Sequence, residues 1–218
     1  LYVYDSAMTS IACNDDSCPG YMSELFDVPV TAGETYYIVV DGYGGDSGDY
    51  VLNVSAAAPC VVDPPVGAYV DEGETALIPD YVDVYNGGCN SDPAIWQTLA
   101  LDTNGSATMY GVAGWYMAGA NSTRDTDWYE VTAMDNEMTL TLTSEYASAL
   151  YTIVPVDCAE VAVDQSLETV PCEAGSLTFV TNPGSTYWIF VAATTYEGPV
   201  NEYHYILDVA TSHFEECV

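Results

Sequence analysis

Basic residues are almost missing from this sequence. Its 218 residues contain no lysine and one arginine, Arg124, against thirty-three aspartates and glutamates, so the formal net charge at pH 7 is −32. Nucleic acids and anionic membrane surfaces are bound through clusters of basic side chains, and this composition excludes nucleic acid as a partner. A net charge far beyond the magnitude of about 2 to 8 usual for a small domain also predicts that bound cations offset the self-repulsion.

The sequence also lacks a long apolar run and a helical pattern. No stretch of about eighteen apolar residues exists, which predicts no membrane insertion. Residue 1 falls in an apparent strand, LYVYD, without a leader pattern before it, and we interpret the N-terminus as processed or truncated. The chain should nevertheless fold, because 49% of it is apolar, with nineteen tyrosines and four tryptophans.

Short alternating runs rich in Val, Thr and Tyr recur between clusters of Gly, Asp, Asn and Pro. This pattern predicts an all-β chain with strands near residues 1–5, 35–42, 50–54, 127–132, 138–143, 150–154, 186–192 and 203–209. Many short strands separated by turn residues are typical of a sandwich.

An internal repeat sets the expected domain organisation. Residues 32–54 align with residues 183–209, matching Gly33 to Gly184 and Thr35 to Thr186, and LYVYD from Leu1 aligns with LYTIV from Leu150. A small-residue and proline-rich linker from Ala56 separates the copies. We therefore predict two domains, residues 1–57 and 58–218. Only the second copy has about ninety residues, 59–149, before its repeat, so the first is predicted to be a half-sandwich that something must complete.

Seven cysteines in loops rich in Asn, Asp, Pro and Gly favour an oxidising, extracellular location, secreted or at the cell surface. Short loops favour the bridges Cys13–Cys18 and Cys158–Cys172. Of the remaining three, Cys60–Cys217 is favoured because the two lie at the ends of the second region, which leaves Cys89 free and buried or bonded elsewhere. In a secreted protein, three sequons would be possible glycosylation sites: Asn53, Asn104 and Asn121.

A family resemblance rests on combined motifs. The first copy has the loop IACNDDSC, the strand AGETYYIVVDG and the ending SGDYVLNV; the second has YVDVYNGGCNSDP, RDTDWYEVT and TYWIFVA. The chain resembles bacterial pre-peptidase C-terminal (PPC) domains, jelly-roll-like modules of exported proteins. The resemblance implies tandem jelly-roll-like β-sandwiches, the first incomplete at its N-terminus. It also implies non-catalytic modules that often bind calcium and serve substrate binding, secretion or assembly. Relatives commonly carry extra cysteines that this chain lacks, which leaves the partner of Cys89 open.

Calcium takes six to eight oxygen ligands, which loops dense in Asp and Asn provide. Two clusters are expected to bind it, although solvated turn residues are the alternative for both. The first comprises Asn14, Asp15, Asp16, Asp41, Asp46 and Asp49. The second comprises Asp80, Asp83, Asn86, Asp125 and Asp127. The first would not be duplicated in the second copy, because Ala192 stands where the first copy has Asp41.

Arg124 lies beside Asp125 and Asp127, and we predict that it forms a structural salt bridge with this carboxylate cluster. The tryptophans allow a carbohydrate-binding interpretation. Trp128 and Trp188 alternate as core residues in strands, whereas Trp115, in GVAGWYMAG, is the better candidate for an exposed face.

The sequence favours no catalytic site. His204 lies in a strand pattern and His213 near the C-terminus, and neither belongs to a known catalytic motif. We therefore expect a non-enzymatic extracellular structural protein, a calcium-stabilised sandwich that assembles with copies of itself into a filament or surface layer through strand complementation. The alternatives are a carbohydrate- or protein-binding module of a larger secreted enzyme or adhesin, with polysaccharide as a possible partner, and a carboxylate-based hydrolase.

Overall fold

The computed structural model describes residues 1–15, 23–25, 28–31, 33–55, 60–155 and 157–213. Within these ranges the chain forms fourteen strands, short 3₁₀ turns at Tyr43–Gly45 and Cys158–Glu160, and no α-helix. The strands are β1 Tyr2–Tyr4, β2 Ser10–Cys13, β3 Tyr37–Val39, β4 Val70–Asp71, β5 Gln97–Thr98, β6 Ser106–Ala118, β7 Asn121–Arg124, β8 Thr126–Thr132, β9 Glu137–Ser144, β10 Ser148–Ile153, β11 Val163–Glu168, β12 Gly175–Val180, β13 Thr186–Ala193 and β14 Glu202–Ser212. The predicted all-β class is confirmed.

The chain divides into two compact units, Leu1–Pro59 and Cys60–Val218, which we call unit 1 and unit 2. Within the described part of the chain, no helix is long and apolar enough to cross a membrane. That the units are tandem jelly-roll-like domains, divided between residues 57 and 58, stays a prediction.

Unit 2 is built from two antiparallel-dominated sheets. One has the order β11-β10-β13-β8-β5, and the other has the order β12-β9-β14-β6-β4, with β7 pairing β6. Apolar residues alternate along the strands, as in β9, whose every second residue is buried. The buried cluster includes Met109, Leu140, Ile189 and Leu207, drawn from strands of both sheets. The alternation places one face of each sheet in a common core, as in a β-sandwich.

A second, smaller core covers the opposite face of the β8 and β13 pair. Trp128, Trp188 and Phe190 are buried there, and Cys89 and Trp96 pack against them. Trp96 stacks on Trp188, with 4.6 Å between the ring centroids. The segment that carries Cys89 and Trp96 is therefore held against the outer face of the five-stranded sheet by aromatic packing.

The sequence repeat is reproduced in the strand pairing. Unit 1 has a three-stranded sheet of order β2-β1-β3, and its counterpart in unit 2 is β11-β10-β13. The registers agree as well: Tyr2 pairs with Val39, and the aligned residue Tyr151 pairs with Phe190. In unit 2 the far edge of β13 pairs with β8, whereas β3 is the last strand of its sheet among the described residues.

The disulfide predictions for unit 2 are wrong. Cys60 bonds to Cys172, and Cys89 bonds to Cys158. Cys158 and Cys172 flank β11, and a six-residue strand separates its ends by roughly 20 Å, beyond disulfide reach. Cys60 instead meets Cys172 beside Ser144, whose carbonyl accepts from the Cys172 amide. The expected pairing of Cys60 with Cys217 is excluded because Cys60 bonds to Cys172; Cys217 itself lies outside the described residues.

Cys13 lies in β2 and is exposed, without a disulfide to any described residue. Its expected partner, Cys18, lies outside the described residues, so that bridge stays a prediction. The two disulfides of unit 2 indicate an oxidising compartment, extracellular or periplasmic.

Candidate metal centre

Five carboxylates converge inside unit 2 and form what we call the acidic centre: Glu72, Glu74, Asp83, Asp125 and Asp127. Ligand oxygens of Glu72, Glu74 and Asp127, the inner triad, lie within 4.8 Å of one another. Those of Glu74, Asp83 and Asp125, the outer triad, meet the same limit. The two triads share Glu74, so the acidic centre consists of two adjoining sites.

Strand geometry explains this convergence. Asp125 directly precedes β8 and Asp127 is its second residue, and side chains two residues apart in an extended segment point to the same side of the sheet. Tyr129, the next residue in this series, belongs to the core between the sheets. Glu72 directly follows β4, which pairs in parallel with β6 of the other sheet. Both sheets thus contribute residues to the acidic centre, which is buried: the exposed fraction is 5% for Glu72 and 0% for Asp127.

Several carboxylates use one oxygen and leave the other without a partner. The Glu74 carboxylate accepts from the Tyr81 hydroxyl through Oε1. Asp83 accepts through Oδ1 from the Tyr85 amide at 2.7 Å. Asp127 accepts through Oδ2 from the Tyr205 hydroxyl at 2.9 Å.

The unused oxygens are buried acceptors that make no hydrogen bond to any described residue. They are Oε2 of Glu74, Oδ2 of Asp83, Oδ1 of Asn86, Oε1 of Gln97, Oδ2 of Asp125 and Oδ1 of Asp127. Buried polar atoms are nearly always paired in native proteins, so six unpaired oxygens in one region require an explanation. An oxygen that can only accept is satisfied by a donor or by a cation.

Fixed donors hold the inner triad in place. The Glu72 carboxylate accepts from the Val112 amide at 2.7 Å and from the Tyr129 hydroxyl at 2.5 Å. The Asn86 amide group also donates to Glu72, which leaves Oδ1 of Asn86 unpaired. The Tyr129 and Tyr205 hydroxyls contact each other and link Glu72 to Asp127. This network orients the carboxylates before any ligand binds.

Burial without a counter-charge raises the pKa of every member of the acidic centre. Desolvation raises the pKa of Glu72 to about 7. Desolvation, then the charges of Asp125 and Glu72, raises the pKa of Glu74 to about 9. Desolvation, then the Glu72 and Asp83 charges, raises the pKa of Asp125 to about 8. Desolvation, then the charges of Glu72, Asp125 and Glu74, raises the pKa of Asp127 well above its usual range, and desolvation raises that of Asp83. The site favours protons or metal cations over bare charge.

The second predicted calcium cluster is brought together in part. Asp83, Asp125 and Asp127 belong to the acidic centre, and Asn86 is hydrogen-bonded to Glu72 within it. Asp80 does not belong there. Its side chain is exposed and accepts from the Gly119 amide at 2.6 Å, so it closes a surface turn.

The first predicted cluster is not assembled in the described part of unit 1, where no three carboxylates meet. Asp15, Asp41, Asp46 and Asp49 are exposed, and the last three lie in a segment without strand pairing. Without a paired framework, nothing there holds separate loops together. Asn14 has a buried, unpaired Oδ1 atom, and Asp16 lies outside the described residues.

Arg124 is a structural contact, but not the predicted salt bridge, since it forms no ion pair with any described residue. It belongs to β7, and its guanidinium donates to the carbonyls of Ala193 and Thr194. The same group lies 5.8 Å from the Phe190 ring centroid and 5.4 Å from that of Tyr196. The guanidinium thus contacts carbonyls through Nη1 and two aromatic rings, not the neighbouring carboxylates, and its Nε makes no hydrogen bond to a described residue.

Three of the tryptophans are buried, and the sequon asparagines are exposed. Trp128 and Trp188 are core residues, as predicted, whereas Trp115 is 3% exposed and the expectation that it forms an open face is wrong. Its indole packs against Tyr146 and Tyr203 and donates to the Thr195 carbonyl. The three sequon asparagines, Asn53, Asn104 and Asn121, are exposed, and their glycosylation stays a prediction.

No protein-family model and no curated protein matches the chain. Among solved structures, the chain is similar to PliG of Aeromonas hydrophila, a periplasmic lysozyme inhibitor of g-type lysozyme. The similarity covers 52% of this chain and 95% of that one, at 16% identity and a TM-score of 0.30. The function is therefore argued from the residues of this chain alone.

Proposed function

We propose that this chain is a non-enzymatic extracellular structural protein, secreted or at the cell surface, whose unit 2 is stabilised by calcium bound in the acidic centre. The observation that carries the proposal is the set of buried, unpaired oxygens on the inner and outer triads. Hard oxygen ligands with flexible geometry suit Ca²⁺, whereas Zn²⁺ prefers nitrogen and sulfur and Mg²⁺ retains several waters. PPC-like modules would use calcium in the same way.

The charge of the acidic centre favours two ions. Five carboxylates carry five negative charges when ionised, and no ion pair to a described Lys or Arg offsets them. One Ca²⁺ would leave three charges uncompensated, at a cost of several kcal/mol for each buried ion. Two Ca²⁺ leave one. Glu74, which belongs to both triads, would bridge the two ions.

Metal stoichiometry tests this proposal. We expect two Ca²⁺ per chain by isothermal titration and by elemental analysis after gel filtration. We also expect Tb³⁺ to replace Ca²⁺ and to luminesce on tyrosine excitation, because Tyr81, Tyr129 and Tyr205 all donate to the acidic centre. A chain that takes up no ion would refute the proposal.

Matched variants locate the ions. Glu74→Gln removes the charge shared by the two triads, and we expect it to lose at least one Ca²⁺. Asp80→Asn is the control, because the Asp80 side chain accepts a hydrogen bond from the Gly119 amide at the surface, and the asparagine side-chain oxygen can accept the same bond. Equal loss of Ca²⁺ in both variants would place the ions elsewhere.

A second proposal concerns assembly: a strand of a neighbouring copy pairs with the free edge of β3, building a filament or surface layer. The repeat supports it, because the equivalent edge of β13 is paired along its length with β8. All three residues of β3 are exposed, with Ile38 at 40%. Residues 50–54 of the same chain are apolar except for Asn53, exposed, and without a strand partner among the described residues, so they can serve as the donated strand.

Electron microscopy and sedimentation velocity in Ca²⁺ test assembly. We expect ordered oligomers or fibres that Ile38→Lys disrupts, because an edge-strand lysine disfavours pairing. Val66→Lys is the control, since Val66 is fully exposed and lies outside every strand. Monodisperse monomers at high concentration would contradict the proposal. Pairing with an upstream segment of a longer chain would instead give monomers with a protected β3.

A further inference from the structure

Unit 2 has an open cleft of about 760 Å³ on the outer side of its five-stranded sheet. Aromatic residues form much of its wall, including Trp128, Tyr151, Phe190 and Tyr196. Tyr196 is 69% exposed, so its ring is available to a bound molecule. Hydroxyl and amide groups, such as those of Ser91, Asn90 and Thr126, line the remainder.

Asp83 and Asp125 line this cleft and belong to the outer triad. Both carry a buried oxygen that makes no hydrogen bond to a described residue, and Asp125 is 3% exposed. A cation held by the outer triad would therefore border the cleft. Calcium commonly completes its coordination with water or with ligand oxygens, so a molecule in the cleft would supply ligands to such an ion from this side.

Arg124, the single basic residue of the whole chain, lines the same cleft. Its guanidinium contacts two backbone carbonyls and two aromatic rings but forms no ion pair with a described residue. A guanidinium has five N–H donors that can meet a carboxylate, and in Arg124 both carbonyl contacts use Nη1, whereas Nε makes no hydrogen bond to a described residue. Arg124 and the candidate cation site both line this cleft. In a chain of net charge −32, the cleft is therefore a place where two positive charges could bind a negative group.

We propose that the cleft binds an acidic sugar, a uronate residue of a polysaccharide. This inference rests on the calcium proposal for its metal contact. Arg124 binds the sugar carboxylate, hydroxyl oxygens approach the cation of the outer triad, and the exposed ring of Tyr196 packs against the sugar ring. Without the cation, the outer triad offers the sugar no positive contact, and Asp92 adds a negative charge to the cleft wall. Binding therefore depends on calcium.

Titration calorimetry with trigalacturonate, in Ca²⁺ and in EDTA, tests the inference. The neutral methyl ester of the same trisaccharide is the ligand control, because it keeps the hydroxyls and removes the charge. We expect binding to the wild-type chain in Ca²⁺ only, and binding of the ester to be at least about tenfold weaker, as expected for the loss of a charge-assisted hydrogen bond.

Arg124→Gln should bind trigalacturonate at least about tenfold more weakly while it keeps the wild-type Ca²⁺ stoichiometry. If this variant does not fold, Tyr196→Ala provides a second test, since Tyr196 is largely exposed. Normal Ca²⁺ uptake without sugar binding overturns the cleft site and leaves the calcium proposal intact. Equal binding of acid and ester, or binding in EDTA, also overturns it. Absence of Ca²⁺ uptake overturns both.

Discussion

Protons and calcium should compete for the acidic centre, so the stability of unit 2 should depend on pH in opposite ways with and without the metal. Burial raises the pKa of Glu72 to about 7, that of Asp125 to about 8 and that of Glu74 to about 9. In the unfolded chain these groups ionise near their ordinary values, about 4 to 4.5. Between these limits the metal-free folded state holds protons that the unfolded state has released. Its free energy of unfolding must therefore fall as pH rises, until the folded groups ionise near pH 9.

The expected size follows from the number of protons retained. Each retained proton lowers the free energy of unfolding by about 1.4 kcal/mol per pH unit. For a domain of this size, 1 kcal/mol shifts Tm by about 2 to 4 °C, so one proton corresponds to about 3 to 6 °C per pH unit. Calcium binds the ionised carboxylates, and its stabilising effect should grow with pH over the same interval.

Calorimetric melting from pH 6 to 8.5, in EDTA and in Ca²⁺, measures both effects. Surface carboxylates are already ionised above pH 6 and contribute little to the slope in this range. Glu72→Gln and Glu74→Gln should flatten the EDTA profile, whereas Asp80→Asn, at an exposed turn, should not. An EDTA profile in which Tm stays constant or rises with pH would refute the reasoning.

Three further outcomes are expected from chemical denaturation. Gly88→Ala should lower the free energy of unfolding by about 3 kcal/mol or more, because its Cβ would lie 2.1 Å from the Trp128 indole. Gly119→Ala is the control, since Gly119 has a similar positive φ and open space around it. Tyr129→Phe removes a hydroxyl that donates within the acidic centre and should cost about 1 to 3 kcal/mol; an unchanged midpoint would mean that this hydrogen bond is not formed. The Cys60–Cys172 disulfide joins residues 112 positions apart, and replacing both cysteines with serine should lower the free energy of unfolding by about 4 to 5 kcal/mol. A loss of stability near zero would contradict the assigned pairing.

Half of the fourteen strands were predicted, because alternation and turn residues report local structure, whereas β6, the longest strand, was not among those expected. Seven of the eight expected strands appear within a few residues of their predicted bounds. Residues 50–54 have the same alternation but form no strand, since a strand needs a partner and pattern alone does not supply one. The disulfide predictions were wrong for a related reason. Short loop length favoured pairing between cysteines close in sequence, whereas β11 lies between Cys158 and Cys172 and separates them.

The acidic centre was predictable only where its residues sit in turn-like sequence. Asp83, Asn86, Asp125 and Asp127 were expected, but Glu72 and Glu74 were missed because glutamate is usually a surface residue. Their spacing offered a signal: two glutamates two residues apart in an extended segment share one face, as Asp125 and Asp127 do. Which face is buried depends on the pairing of β4 with β6, and that pairing is a tertiary property.

The position of Arg124 also has a consequence for proteolysis. Trypsin-like enzymes cleave after lysine or arginine and need that side chain free in an extended, unpaired segment. These 218 residues offer them a single such side chain, and its backbone lies in β7, paired with Trp115 of β6. Pairing therefore holds this segment out of the free, extended conformation that these proteases need. Cleavage by trypsin at Arg124 would report that β7 has come away from its sheet.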